Sequence, residues 1–214
     1  GAFVPDEAPL CVDSIFDLAS VTKLFTCIAV LQLVEAGKLA LDTPMGRCDR
    51  RFLHIPEVTI EEMLSFRAAL ETEARLDEQP AAEAEKLLFS IRRGPDPVRR
   101  FYTDMGAMVL PYAVEAAADQ TFSDYLAEHI FSPLGMTRTF AHVPEALLGE
   151  TVCCNCERRA FNGRFWLDLD CPAGTVHDPK ARILGREGRA PCGHAGLFSS
   201  LADMTRLAHG LLEG

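Results

Sequence analysis

The stretch FDLASVTKLF, residues 16–25, places a serine and a lysine three positions apart at the start of an apolar segment. Residues three apart in a helix lie on the same face, so we expect Ser20 and Lys23 to be neighbours. A buried lysine costs free energy unless another group uses it. Either the Lys23 ammonium reaches solvent, or Lys23 is a base that removes the proton of Ser20.

The residues after Lys23 predict a long apolar helix over about 18–36. Asp17 fits the N-cap of this helix, and Gly37 fits the position just after its end. The helix N-terminus would stabilise negative charge that develops at Ser20. A lysine acts as a base only if burial or a neighbouring cation lowers its pKa.

The remaining pattern is mostly helical, with few strand candidates. Thr59 and Glu62 fit a capping box at the start of a short helix that begins at Ile60. Ser200 fits the cap of a terminal helix, and GRFWLDLD at 163–170 predicts one strand. Further helices are predicted at 81–92, at about 104–118 and at 121–131.

Length and composition favour a single domain over residues 1–214. We divide it into a helical core at 16–140, an irregular Gly- and Cys-rich segment at 141–199 and a terminal helix at 200–213. The net charge of −10 argues against a nucleic-acid partner, and no apolar run is long enough to cross a bilayer. With no signal segment visible, a cytoplasmic location is expected.

Eight cysteines raise the question of disulfides or a zinc site. Cys27 lies inside an apolar helical pattern, so reduced thiols are expected, with a disulfide as the alternative. Zinc sites normally use Cys-x₂₋₄-Cys pairs. Cys154-x-Cys156 and Cys192-x-His194 are spaced more tightly than that, so we expect no metal.

The segment DSIFDLASVTKLFTCIAVLQLVEAGKLALDTPM, residues 13–45, resembles the active-site helix of serine β-lactamases and penicillin-binding-protein-like hydrolases. The resemblance is strongest to the branch of class C β-lactamases and family VIII esterases. In that family Ser-x-x-Lys is followed by a long apolar helix, Gly-Lys-Leu and Leu-Asp-x-Pro. Residues 37–39 and 41–44 match the last two motifs. The resemblance implies that Ser20 is the acylated nucleophile and Lys23 its general base.

A second segment, RRFYTDMGAMVLPYAVEAA at 99–117, resembles the family's Tyr-x-Asn motif and the helix after it. Tyr102 falls on the tyrosine, which implies a proton relay to the leaving group. Asp104 stands where the family has Asn. A carboxylate at this place would bind Lys23 and hold it charged, or orient the substrate.

Two later segments continue the resemblance in the same order. TFSDYLAEHIFSPLGMTRTF at 121–140 matches a structural helix and turn, and GTVHDPKARILG at 174–185 suggests a polar clamp at His177 and Asp178. CGHAGLFSSLADMTRLA at 192–208 contains His194-x-Gly196, spelled like the family's third active-site motif. We therefore name His194 and Gly196 as candidate substrate-binding residues, with a glycine-rich turn as the alternative.

The resemblance implies an α+β, β-lactamase/transpeptidase-like fold that is rich in helix, with an antiparallel sheet that is reduced or incomplete. It also implies a serine hydrolase that transfers an acyl group to water, acts on a small-molecule ester or amide and uses no cofactor. The alternative is a catalytically incomplete binding module, or a fragment completed by a partner chain. An incomplete sheet would favour a homodimer through that region.

Overall fold

The structure is a computed structural model that describes residues 9–95, 100–154, 171–185 and 190–213, and the backbone of 156–159 and 165–168. The α-helices in this part of the chain are α1 Thr22–Glu35, α2 Met45–Cys48, α3 Ile60–Leu64, α4 Ala81–Phe89, α5 Met105–Ala118, α6 Phe122–Leu126, α7 Pro179–Leu184 and α8 Leu201–Glu213. Short 3₁₀ turns cover Ala19–Val21, Leu76–Glu78 and Glu145–Glu150, and a π-helical turn, Ala127–Phe131, extends α6.

The described strands form three separate antiparallel pairs. They are β1 Ile15–Asp17 with β6 Phe198–Ser200, β2 Leu70–Glu71 with β3 Arg92–Arg93, and β4 Cys156–Arg159 with β5 Phe165–Asp168. In the first pair Phe16 lies opposite Ser199. The predicted helix-rich α+β fold with a reduced antiparallel sheet is thus confirmed, and β5 confirms the strand expected within 163–170.

The core forms where α1 packs against α5. Helix α5 is buried along most of its length, and Pro111 lies inside it. Phe25, Ala29 and Val30 of α1 are completely buried in the same cluster, as are Val109 and Val114 of α5. This contact fixes the position of the first turn of α1, which carries Lys23.

Several helix ends follow the sequence signals. Gly37 has φ +67°, a conformation that glycine adopts without strain, and it follows the last turn of α1. Thr59 and Glu62 form the predicted capping box of α3. The Asp203 N–H donates a hydrogen bond of 3.2 Å to Ser200 Oγ at the start of α8, as expected for a cap.

Other boundaries differ from the sequence-based prediction. The helix expected from residue 18 is a 3₁₀ turn up to Val21, and α1 begins only at Thr22. The backbone reverses at Ala19, where φ is +44°, so a continuous helix cannot form there. Helix α4 ends at Phe89 because Arg92 and Arg93 pair with β2.

Among the described cysteines, Cys11, Cys27, Cys48, Cys153 and Cys154 are free, as expected. Cys171 is disulfide-bonded, so the prediction of reduced thiols is wrong at that position. That prediction depended on Cys27, which lies in α1 and carries no information about a loop residue after β5. None of the described helices is long and apolar enough to cross a membrane.

Candidate active site

Ser20 and Lys23 are in direct contact. Ser20 lies in the 3₁₀ turn, and Lys23 lies in the first turn of α1. Lys23 Nζ is 2.9 Å from Ser20 Oγ, and the Lys23 side chain is only 11% exposed. The predicted pairing of these two residues is therefore present, and the alternative of a solvated lysine is wrong.

The residues before Ser20 hold the turn in an unusual conformation. The Ala19 N–H donates a hydrogen bond of 2.7 Å to Asp17 Oδ1, and the His177 N–H donates one of 2.6 Å to Asp17 Oδ2. Burial raises the pKa of the Asp17 carboxyl, and these two hydrogen bonds oppose the rise. Strained backbone of the kind seen at Ala19 (φ +44°) often lies beside reactive groups, because the surrounding structure enforces it.

Asp104 lies at the N-cap of α5 and binds the lysine of the pair. Its Oδ1 is 2.7 Å from Lys23 Nζ. Burial alone would raise the pKa of Asp104, but the charge of His194, the hydrogen bond of Lys23 and the charge of Lys180 together lower it. Asp104 is therefore a carboxylate at neutral pH.

Tyr102 covers Lys23 with its ring. The Lys23 ammonium lies 5.1 Å from the ring centroid, within the range of a cation–π contact. The ring also lies against Phe66, with centroids 5.2 Å apart, and Tyr102 as a residue is 60% exposed. The tyrosine is thus brought to the site, and the proton relay through its hydroxyl stays a prediction.

His194 lies beneath Lys23. Its carbonyl oxygen accepts a hydrogen bond of 3.1 Å from Lys23 Nζ, and its side chain is 1% exposed. The ring is held at both nitrogens, since Nε2 lies 3.0 Å from Asp178 Oδ1 and Nδ1 lies 3.2 Å from the Cys192 carbonyl oxygen. His194 therefore helps to position Lys23 through its backbone carbonyl. Its contact with substrate stays a prediction.

The glycines beside His194 allow a close approach of the chain to α5. Gly193 has φ +72°, and a Cβ there would lie 2.2 Å from the Ala107 carbonyl oxygen. Gly196 is buried and has φ +108°. The segment is therefore a glycine-rich turn in front of β6, which was the alternative interpretation, and substrate binding by Gly196 stays a prediction.

Lys180 is a site residue that sequence reasoning missed. Its ammonium lies 3.1 Å from Asp104 Oδ2 and 3.1 Å from Asp178 Oδ2, so it joins the two carboxylates. Asp178 caps α7 by accepting a hydrogen bond of 2.9 Å from the Ala181 N–H. The sequence signal was present, because Asp-Pro at 178–179 is a typical helix start and places Lys180 in the first turn.

The charges of this network support one another. Burial would raise the pKa of Asp178, but the hydrogen bond and charge of His194 and the charge of Lys180 hold it well below its usual range. Burial would lower the pKa of Lys180, but the charges of Asp178 and Asp104 raise it. Both groups are therefore ionised at neutral pH.

An open cleft of about 820 Å³ borders the network. One wall is the loop at 72–77, and the other is formed by residues 102–105 and Lys180. The cleft carries both signs of charge, since Arg75, Asp77 and Lys180 all line it. It is the open approach to Tyr102 and Asp104.

One group of metal-ligand type occurs among the described residues: Asp104, Asp178 and His194 have ligand atoms within 4.8 Å of one another. No cysteine belongs to it, so it does not correspond to the zinc alternative considered from the sequence. Lys23 and Lys180 already bind its carboxylates, and an ion-pair network describes it fully. The expected absence of a metal stays a prediction.

Comparisons with known proteins show the family of this chain. A family model described as Beta-lactamase matches residues 4–214. A putative D-alanyl-D-alanine carboxypeptidase of Escherichia coli strain K12 is 26% identical over 232 residues, which cover 94% of this chain and 51% of the relative. Esterase EstB of Burkholderia gladioli is 41% identical over 68 residues, which cover 29% of this chain and 17% of the esterase.

A solved structure shows the same fold. The crystal structure of FmtA from Staphylococcus aureus superposes with a TM-score of 0.73 at 16% identity, over 97% of this chain and 55% of FmtA. This chain therefore spans about half the length of the carboxypeptidase and of FmtA. Because the family model matches nearly the whole sequence and the fold agrees, this chain belongs to the Beta-lactamase family.

Proposed function

We propose that this protein is a serine hydrolase that transfers an acyl group to water through an acyl-enzyme on Ser20. The family consists of acyl-transfer serine hydrolases with β-lactamase, penicillin-binding and esterase members. The observation that carries the proposal is the 2.9 Å contact between Lys23 Nζ and Ser20 Oγ at a largely buried lysine. A serine hydroxyl becomes a useful nucleophile when such a base accepts its proton.

The first half of the reaction uses four groups. Lys23 in its neutral form accepts the proton of Ser20 as Oγ attacks the substrate carbonyl carbon, and the carbonyl oxygen becomes an oxyanion. Ser20 lies in the leading turn of a helix, whose N-terminal end favours negative charge. Tyr102 passes the proton that Lys23 accepted to the leaving group as the carbonyl–leaving-group bond breaks, so Lys23 is neutral again for the second half. Asp104 orients Lys23.

The second half of the reaction reverses these roles. Water gives up a proton to the same base as its oxygen attacks the acyl carbon, and the Ser20 Oγ–acyl bond breaks as Oγ regains a proton. The substrate class we propose is a small-molecule ester or amide. The mixed charges of the cleft beside Tyr102 support a polar substrate.

Labelling with a fluorophosphonate tests the nucleophile directly. We expect intact-mass analysis to show one adduct, and peptide mapping to locate it on Ser20. Ser20→Ala should abolish the adduct. Ser90→Ala, at an exposed serine after α4, is the matched control and should leave it in place. A folded wild-type chain that forms no adduct would contradict the proposal.

The alternative is a binding module or a fragment completed by a partner chain. The small sheet beside Ser20 supports it, because its described part has only the short strands β1 and β6, with single bridges to Thr151 and Phe140 at the edges, and a partner strand would extend it. The same labelling experiment separates the two, since a binding module leaves Ser20 unmodified. The expected homodimer through the sheet region stays a prediction, and sedimentation velocity tests it.

A further inference from the structure

Asp104 creates a difficulty for the proposed reaction. A carboxylate 2.7 Å from Lys23 Nζ favours the charged ammonium, whereas a base that removes the Ser20 proton must be neutral. The residue that the family places here, asparagine, carries no charge. The carboxylate at residue 104 therefore needs compensation if Lys23 is to act as a base.

Lys180 is placed to supply that compensation. The two oxygens of Asp104 are divided between two ammonium groups, with Lys23 on Oδ1 at 2.7 Å and Lys180 on Oδ2 at 3.1 Å. Lys180 is only 17% exposed, so solvent screens its charge weakly. A second contact, to Asp178 Oδ2 at 3.1 Å, fixes its position.

We infer that Lys180 is a positioning residue that offsets the charge of Asp104, so that the Asp104–Lys180 pair acts on Lys23 as a neutral amide would. This inference rests on the proposed function for its role in catalysis. It extends that proposal by assigning a role to a lysine outside the Ser-x-x-Lys and Tyr-x-Asp motifs. The charged states of Asp104 and Lys180 at neutral pH support it.

The other groups around Lys23 do not replace Lys180. His194 contributes a backbone carbonyl to Lys23; the charge of its ring also lowers the pKa of Asp104, but the ring is hydrogen-bonded to Asp178 and not to Asp104. Tyr102 contributes a ring face. Titratable and charged groups lie on every segment around Lys23. Those nearest the lysine are Asp17 and Ser20 before α1, Tyr102 and Asp104 at the start of α5, and His194 in the glycine-rich turn. Farther out are His177, Asp178 and Lys180 at α7, and Glu73, Arg75 and Asp77 on the cleft wall. Within this set, Lys180 is the second ammonium that binds Asp104.

The test measures the protonation of Lys23 without using catalysis. Trace acetylation with acetic anhydride at a series of pH values, with fragment ions that locate the label on Lys23, gives the midpoint of its titration. We expect Lys180→Met to raise that midpoint by about one pH unit, because an unopposed carboxylate then faces the ammonium. Asp104→Asn should lower the midpoint, since the repulsion from Lys180 is then unopposed.

Combined variants separate a charge effect from a general disturbance. Lys180→Met together with Asp104→Asn should return the midpoint close to the wild-type value, and Lys180→Arg should retain it. Lys86→Met removes an exposed lysine of α4 that pairs with Glu83 and should change nothing. A Lys23 midpoint that stays the same in both Lys180→Met and Asp104→Asn would overturn the inference, and so would a double variant shifted as far as Lys180→Met alone.

Fluorophosphonate labelling of the same variants distinguishes failure of the inference from failure of the proposed function. We expect Ser20 labelling at pH 7 to fall about tenfold in Lys180→Met, and to recover as the pH is raised by one unit. If the midpoint moves as expected in the variants but the wild-type chain forms no adduct, the inference is supported and the hydrolase is refuted. An adduct with a midpoint that does not move supports the hydrolase and refutes the inference.

Discussion

The Thr26 hydroxyl donates a buried hydrogen bond of 2.7 Å to the Gly193 carbonyl oxygen. Thr26 lies one turn after Lys23 on α1, and Gly193 immediately precedes His194. The bond therefore ties the helix of the lysine to the turn whose next carbonyl binds that lysine. Neither residue touches the open cleft, so the contact acts by holding two segments in register.

Thr26→Val keeps the shape of the side chain and removes this donor. We expect the free energy of unfolding to fall by about 1–3 kcal/mol, because the buried Gly193 carbonyl loses its partner. Urea unfolding measures the loss. Thr205→Val is the matched control, since the Thr205 hydroxyl donates a 2.8 Å bond to Leu201 on an exposed face of α8. Equal losses of unfolding free energy in the two variants would show that the Thr26–Gly193 hydrogen bond stabilises the protein no more than an exposed one.

Tyr102→Phe separates the ring from the hydroxyl. The variant keeps the ring over Lys23 and against Phe66, so binding and folding should change little. If the hydroxyl protonates the leaving group, turnover of phenyl acetate should fall by about 10²–10⁴. p-Nitrophenyl acetate should be affected much less, because its leaving group needs no proton. A similar loss for both esters would refute the relay.

Asp203→Asn tests the buried anchor of α8. The Asp203 side chain has no exposed surface, and it accepts hydrogen bonds from the Arg138 N–H at 2.7 Å and from Thr139 Oγ1 at 2.9 Å. Arg206 Nη1 lies 2.6 Å from Oδ1. The amide loses the ion pair and places donors against these groups, so we expect a loss of about 2–3 kcal/mol in urea unfolding.

The control for this substitution is Asp124→Asn, at the exposed first turn of α6. Asp124 helps to cap that turn with Thr121, and the change should cost less than about 1 kcal/mol. If Asp124→Asn lowers the free energy of unfolding as much as Asp203→Asn, burial does not explain the effect at Asp203.

The stability of the protein should fall in acid because of Asp178. The pKa of Asp178 is held below its ordinary value of 3.8, so the stabilisation is complete above that pH and is lost as the pH falls further. In this window the unfolded chain binds the additional proton. Asp178→Asn should therefore reduce the slope of unfolding free energy against pH by up to about 1.4 kcal/mol per pH unit.

Asp17→Asn should change the pH dependence of stability in the opposite direction. Burial raises the pKa of Asp17, so its contribution to the free energy of unfolding falls as the pH rises from 3.8 to the pKa of the folded state. Its removal should make the pH dependence just above 3.8 steeper, whereas removal of Asp178 makes the dependence below 3.8 shallower. Slopes that change in the same direction in both variants would refute this assignment.

The parts of the fold that local chemistry determines were predictable from sequence. The capping box at Thr59, the cap at Ser200 and the glycine at position 37 each depend on neighbours within a few residues, and each is present. The Ser20–Lys23 pair was predictable for the same reason, since helical spacing brings the two side chains together.

Features that depend on distant contacts were not predictable in this way. Helix α1 begins at Thr22, after a turn with φ +44° at Ala19, and Asp17 before this turn accepts a hydrogen bond from the His177 N–H, 160 positions away. Helix α4 ended early because Arg92 and Arg93 pair with β2. The role of Lys180 was not predictable, because its two carboxylate partners meet only in the folded chain.

The contacts of Lys23 also determine how early in synthesis the surroundings of Ser20 can form. The Lys23 ammonium is bound by a carbonyl 171 positions later in the chain, and such long-range contacts form late in folding. A nascent chain therefore cannot make this contact until residue 194 has left the ribosome. Under the proposed function, a translation product that stops before His194 lacks this partner of Lys23, so we expect Ser20 of such a product to react poorly with a fluorophosphonate.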